Sequence, residues 1–148
     1  MAILNRDLKG RLERHYKDKK ALIILGPRQS GKTTLIHEIM KDVEKPYQLW
    51  NGDDFQVRSS LQNISIASLK RLTGEYGFLF IDEAQRIENI GLVIKMIVDN
   101  MPGVKVIATG SSSFELSKSV KEPMTGRKWE YLLLPFSFHE LCNYHSSM

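Results

Sequence analysis

Ala21-Leu22-Ile23-Ile24-Leu25-Gly26-Pro27-Arg28-Gln29-Ser30-Gly31-Lys32-Thr33 is the stretch on which the fold turns. Its five uninterrupted apolar residues read as a strand buried on both faces, hence one in a parallel sheet covered on each side by helices. The eight residues after it fit G-x-x-x-x-G-K-[ST]. Leu35, Ile36, Ile39, Met40 and Val43 then recur at helical spacing as far as the break at Pro46. Gly26 and Gly31 let backbone N–H groups curl around an anion without Cβ interference. The helix beginning near Lys32 turns the positive end of its dipole to the same place. Lys32 brings a mobile charge for phosphate oxygens, and Thr33 a hydroxyl for Mg²⁺. The expected phosphate-binding set is therefore Gly26, Pro27, Arg28, Gln29, Ser30, Gly31, Lys32, Thr33 and Thr34. A glycine-rich turn with an exposed lysine would leave the buried strand and the glycine spacing without a reason.

Downstream, strands and helices alternate. Tyr47-Gln48-Leu49-Trp50 reads as a second strand, ended by Asn51-Gly52. Residues 54–62 and 65–73 read as short helices, with Asp53 and Asp54 as caps for the first and Gly74 as a stop for the second. Phe78-Leu79-Phe80-Ile81 is a third strand, and Ile90, Val93, Ile94, Ile97 and Met101 mark a helix closed by Pro102-Gly103. Residues 104–108 and 129–134 give the fourth and fifth strands. Looser helical segments follow each, around 114–120 and 137–143. Strands alternating with helices mean an α/β fold with a parallel sheet.

The third strand ends in Asp82-Glu83. A carboxylate at the C-terminal tip of a buried strand is where a Mg²⁺ ligand sits in such sheets, which gives Asp82 that role beside Thr33. Glu83 is placed to orient and polarise a water, although both carboxylates would also serve as helix caps. The fourth strand runs into Thr109-Gly110-Ser111. Thr109 is the favoured contact to a γ-phosphate or its attacking water, with Ser111 the second choice and helix capping the competing use. Arg127, ahead of the fifth strand, is the candidate for a charge-stabilising arginine acting in its own or a neighbouring subunit. Arg86 reads as an ion-pair partner.

Composition narrows the remaining classes. Of 148 residues, 42% are hydrophobic and 26% charged, ordinary values for a globular chain. One cysteine, Cys142, excludes an internal disulfide framework and a cysteine-rich zinc site. With no signal-peptide core and no apolar run near the ~20 residues a spanning helix needs, a cytoplasmic protein without membrane contact is expected. Residues 1–20 hold seven basic and three acidic residues, and this accounts for the whole net charge of +4. Leu4, Leu8, Leu12 and Tyr16 recur every four residues there, so a basic amphipathic helix over 3–17 is expected.

Together, GPRQSGKTTL, LFIDEAQRI, VIATGSSSFEL and TGRKWEYLLLPFSFHEL resemble the N-terminal part of a prokaryotic AAA-type P-loop ATPase family, over roughly residues 20–141. The resemblance implies ATP and Mg²⁺, with Lys32 and Thr33 in the Walker A role, Asp82 and Glu83 in the Walker B role, and Thr109 or Ser111 as sensor. It implies a three-layer core whose five-stranded sheet has the order 5-1-4-3-2, the sensor strand lying between the Walker A and Walker B strands. Family members usually continue further. The chain is thus expected to be a single ATPase core, 1–148, lacking the C-terminal lid and a further domain. The expected partners are ATP, a protein client and further copies of the chain. The alternatives are a nucleotide-binding sensor module with negligible turnover and a nucleic-acid-directed ATPase gripping phosphates with its basic N-terminal arm. The first would bind without hydrolysing; the second would lose binding steeply with salt.

Overall fold

The computed structural model describes residues 6–27, 31–44, 46–74, 76–111 and 124–133. Five strands, β1 (Ala21–Gly26), β2 (Tyr47–Asn51), β3 (Phe78–Asp82), β4 (Lys105–Ser111) and β5 (Lys128–Leu132), form one parallel sheet in the order β2-β3-β4-β1-β5. This is the order 5-1-4-3-2 read from the other edge. The described helices are α1 (Arg6–Glu13), α2 (Lys32–Asp42), α3 (Phe55–Leu61), α4 (Ile66–Thr73) and α5 (Ile90–Asn100), with a 3₁₀ turn at Ala84–Arg86.

The continuous apolar runs are explained by two cores, one on each face of the sheet. Ala21, Ile23, Leu25, Leu79, Ile81, Val106 and Ala108 point to the side of α4 and α5. Leu22, Ile24, Phe78, Phe80 and Ile107 point to the side of α1 and α2, where they meet Leu8, Leu12, Leu35, Ile36 and Ile39. Every residue of β1 and β3 is buried, as period-two alternation between two covered faces requires. Each large buried side chain contributes about 1.5–3 kcal/mol of transfer free energy. The edge strands β2 and β5 are largely exposed.

Three boundaries differ from the expected ones. β4 continues through Thr109 and Gly110 to Ser111, because β1 pairs with it in register as far as Gly26 opposite Ser111. Backbone pairing extends the strand past the point where apolar side chains stop. β5 ends at Leu132, with one further bond from Leu133 N–H to Leu25 O at 2.7 Å. α1 ends at Glu13 rather than at 17, with residues 14–17 in a turn, while Leu8 and Leu12 sit in the core as the apolar face of the helix requires. The expected helix start at Ile3 or Asn5, the strand end at Leu134 and the helical segments 114–120 and 137–143 lie outside the described residues.

Because all five strands are parallel, the C-terminal tips of β1, β3 and β4 share one edge of the sheet. No described helix is long and apolar enough to cross a membrane.

Candidate functional site

Gly31 adopts φ 91°, a left-handed conformation open to glycine, and hands the chain into α2. The first intrahelical bond runs from Leu35 N–H to Gly31 O at 2.8 Å, so the amides ahead of it lie at the positive end of the helix dipole. Lys32 is 5% exposed. Its Nζ donates to the carbonyls of Gly26 and Pro27, both at 2.8 Å. Burial pulls its pKa below the ordinary lysine value, while the charges of Glu83 and Asp82 work the other way. Gly31, Lys32, Thr33, Thr34, Asp53, Glu83 and Arg86 line a cleft of about 380 Å³. Arg28, Gln29 and Ser30 lie outside the described residues.

Asp82 closes this cluster. It is buried at the tip of β3, and both carboxylate oxygens are engaged. Oδ1 accepts from Thr109 Oγ1 at 2.6 Å and from Glu83 N–H at 3.1 Å; Oδ2 accepts from Thr33 Oγ1 at 3.0 Å. A hydroxyl and a carboxylate oxygen in contact beside a phosphate loop suit a cation that keeps most of its coordination for water and substrate oxygens, as Mg²⁺ does. The donor set therefore fits Mg²⁺.

Glu83 adopts φ 52° and precedes the 3₁₀ turn without capping it by its side chain. Its Oε2 instead accepts from Gln85 Nε2 at 2.7 Å. The same nitrogen donates to Ser111 Oγ at 2.8 Å, and Ser111 N–H donates to Gln85 Oε1 at 3.3 Å. Gln85 was not among the expected site residues. Its position in the Asp82-Glu83-Ala84-Gln85 string is the signal that could have found it.

The two sensor candidates separate. Thr109, the favoured candidate, is fully buried and its hydroxyl donates to Asp82 Oδ1. Ser111 is half-buried at the strand tip, opposite Gly26. Arg127 is brought to the other end of the sheet. It precedes β5, its carbonyl accepts from Ala21 N–H, and its Nε pairs with Asp99 Oδ1 at 2.7 Å. Strand direction places it at the N-terminal edge of the sheet, opposite the cleft. Arg86 pairs with Asp53 at 3.5 Å on the wall of the cleft. Asp54 caps α3 by accepting from Gln56 N–H at 2.8 Å.

Residues 18–142 match a family model described as an AAA domain. The chain belongs to this AAA domain family. It carries an AAA-type P-loop ATPase domain. The uncharacterized protein Rv2008c of Mycobacterium tuberculosis is 33% identical over 129 residues, 86% of this chain and 28% of the relative. The uncharacterized protein MJ1544 of Methanocaldococcus jannaschii is 28% identical over 149 residues, 96% of this chain and 32% of the relative. The AAA domain chain thus spans about a third of the length of these relatives. Among solved structures, the Walker-type ATPase paby2304 of Pyrococcus abyssi superposes with TM-score 0.66 at 20% identity, over 97% of this chain and 57% of that one. A chain of Drosophila ORC bound to DNA gives TM-score 0.66 at 10% identity, over 95% and 98%. At these identities the likeness is one of fold.

Proposed function

We propose that this domain binds Mg-ATP in the cleft and hydrolyses it to ADP and inorganic phosphate. The observation that carries the reading is Asp82, held by Thr109 on one oxygen and by Thr33 of the phosphate loop on the other. Two hydroxyls from two other elements aim this carboxylate at the loop, an arrangement that helix capping does not call for.

Thr33 and Asp82 would hold Mg²⁺, which when bound supplies positive charge against the phosphate oxygens. Lys32 is a charged donor already seated on the loop carbonyls, and a phosphate anion is a favourable partner for an ammonium held in a desolvated position. Glu83 takes a proton from the attacking water as its oxygen bonds to the γ-phosphorus. The bond from that phosphorus to the β–γ bridging oxygen breaks, and ADP leaves with its electron pair. Ser111 takes the sensor place at the tip of β4. ATP is preferred to GTP because the sequence has no N-K-x-D guanine-reading motif.

Calorimetry and single-turnover hydrolysis test this together. Lys32→Ala is expected to lose about 2–5 kcal/mol of Mg-ATP affinity. Asp82→Asn is expected to raise the Mg²⁺ requirement at least about 10-fold, since even indirect supports of a metal site cost that much. Glu83→Gln is expected to bind ATP yet hydrolyse it about 10²–10⁴-fold more slowly. Unchanged affinity in Lys32→Ala would remove the phosphate-loop assignment.

A further inference from the structure

One side chain in the cleft region makes three bonds and has no part in the mechanism above. Gln85 sits in the 3₁₀ turn after the acidic pair and reaches two elements at once. Its amide nitrogen donates to Glu83 Oε2 at 2.7 Å and to Ser111 Oγ at 2.8 Å, and its carbonyl accepts from Ser111 N–H at 3.3 Å. The orientation of the amide is fixed by chemistry. A carboxylate only accepts and a backbone N–H only donates, so nitrogen faces Glu83 and oxygen faces Ser111 N.

We propose that Gln85 is a positioning residue that holds the Glu83 carboxylate for water activation and ties it to the tip of the sensor strand. This rests on the reading of Glu83 as the water-activating group. Three features carry it. Glu83 stands in a left-handed turn and caps nothing, so its side chain takes its direction from Gln85. Gln85 holds one carboxylate oxygen, which leaves Oε1 to receive the proton of the water. Ser111 accepts from Gln85 and keeps its own hydroxyl proton to donate. Because Ser111 pairs across from Gly26, the first residue of the phosphate loop, that proton is available beside the loop. A phosphate oxygen taking it polarises the Ser111–Gln85–Glu83 chain in one direction, and each bond strengthens the next. The arrangement links the presence of the terminal phosphate to the aim of the general base, through a residue that touches neither phosphate nor water.

Gln85→Glu keeps the shape but removes both donors, and Gln85→Asn is one methylene too short to span the two partners. Each is expected to lower the single-turnover rate about 10²-fold, the cost of a misplaced catalytic group. Mg-ATP affinity and the urea midpoint should stay at the parental values. In a Glu83→Gln background, Gln85→Leu should cause no further loss, because a residue acting only through Glu83 has nothing left to position. Parental turnover in Gln85→Glu, with Glu83→Gln slow, overturns the positioning role alone. An additive loss in the double variant overturns it too, by showing another route of action. Parental turnover in Glu83→Gln instead removes the water-activating role of Glu83, and this inference with it.

Discussion

Gly52 stands at the end of β2 where a side chain cannot. An ideal Cβ there would lie 2.0 Å from the carbonyl oxygen of Glu83 and 2.9 Å from its carbon. The Gly52 N–H donates to Asp82 O at 2.8 Å, and its carbonyl accepts from Arg58 at 2.8 Å. A glycine read in the sequence as a strand terminator is therefore a spacer that lets β2 press against the acidic turn. Gly52→Ala must push that turn away. The expected cost is about 1–3 kcal/mol of stability, as for other overpacked sites, with hydrolysis falling further than nucleotide affinity. Urea unfolding and single-turnover rates check this; parental values in both would mean that the turn yields freely. Lys32 stood out by motif spacing and Asp82 by its place at the end of an apolar strand. Gly52 did not, because what it meets, the carbonyl of Glu83, belongs to a distant turn, and the bond of Gln85 to Ser111 crosses to β4.

At the scale of elements, the loop between α1 and β1 ties the N-terminal edge of the sheet together. Asp18 accepts from Lys105 Nζ at 2.9 Å, from Lys20 N–H at 2.9 Å and from Trp129 Nε1 at 3.0 Å, and His15 Nδ1 lies 3.0 Å away. Lys105 also donates to the carbonyls of Asp18 and Lys20. His15 stacks on Trp129, and Lys20 lies over the same ring at 4.2 Å. Burial pushes the Asp18 carboxyl up, but the bonds from Lys105, Lys20, Trp129 and His15 outweigh it and hold the pKa at about 2 rather than 3.8. A carboxylate with a depressed folded pKa stabilises fully above its unfolded pKa and stops doing so as pH falls through the folded value. Asp18→Asn is therefore expected to be less stable than the parent near neutrality, with the gap closing between about pH 4 and pH 2. Thermal midpoints across that range check it; a constant gap would mean that the carboxylate charge is not what matters.

For the whole molecule, the sheet separates two tasks. The cleft lies at the C-terminal tips of β1, β3 and β4, and the Asp18 cluster lies at the opposite edge. A ligand that binds the folded state alone stabilises it by about 2.7 kcal/mol at a hundred times its dissociation constant. For a chain of this size each kcal/mol raises the midpoint by about 2–4 °C. Saturating Mg-ATP is thus expected to raise the thermal midpoint by roughly 5–11 °C. The rise should shrink when Mg²⁺ is chelated and fall to at most about 2–4 °C in Lys32→Ala. A full parental rise in Lys32→Ala would place the nucleotide elsewhere.

Local sequence suffices for the strand–loop–helix unit at 21–43, the acidic tip of β3 and the alternation of strands with helices. Each is written in contiguous residues as apolar runs, glycine spacing or helical period. The strand order became legible only through the combined motifs and their family resemblance. Which polar side chains meet depends on the assembled sheet. Thr109 and Asp82 are 27 positions apart, and Lys105 and Asp18 are 87 apart. Their pairing depends on which strand lies beside which, and in what register. The same dependence buried Thr109 and left Ser111 at the tip, carried Arg127 to the far edge, and docked the basic N-terminal helix through Leu8 and Leu12. Local periodicity says which face of an element is apolar. It does not say which neighbour covers that face, and at this site the neighbour decides which contacts each residue makes.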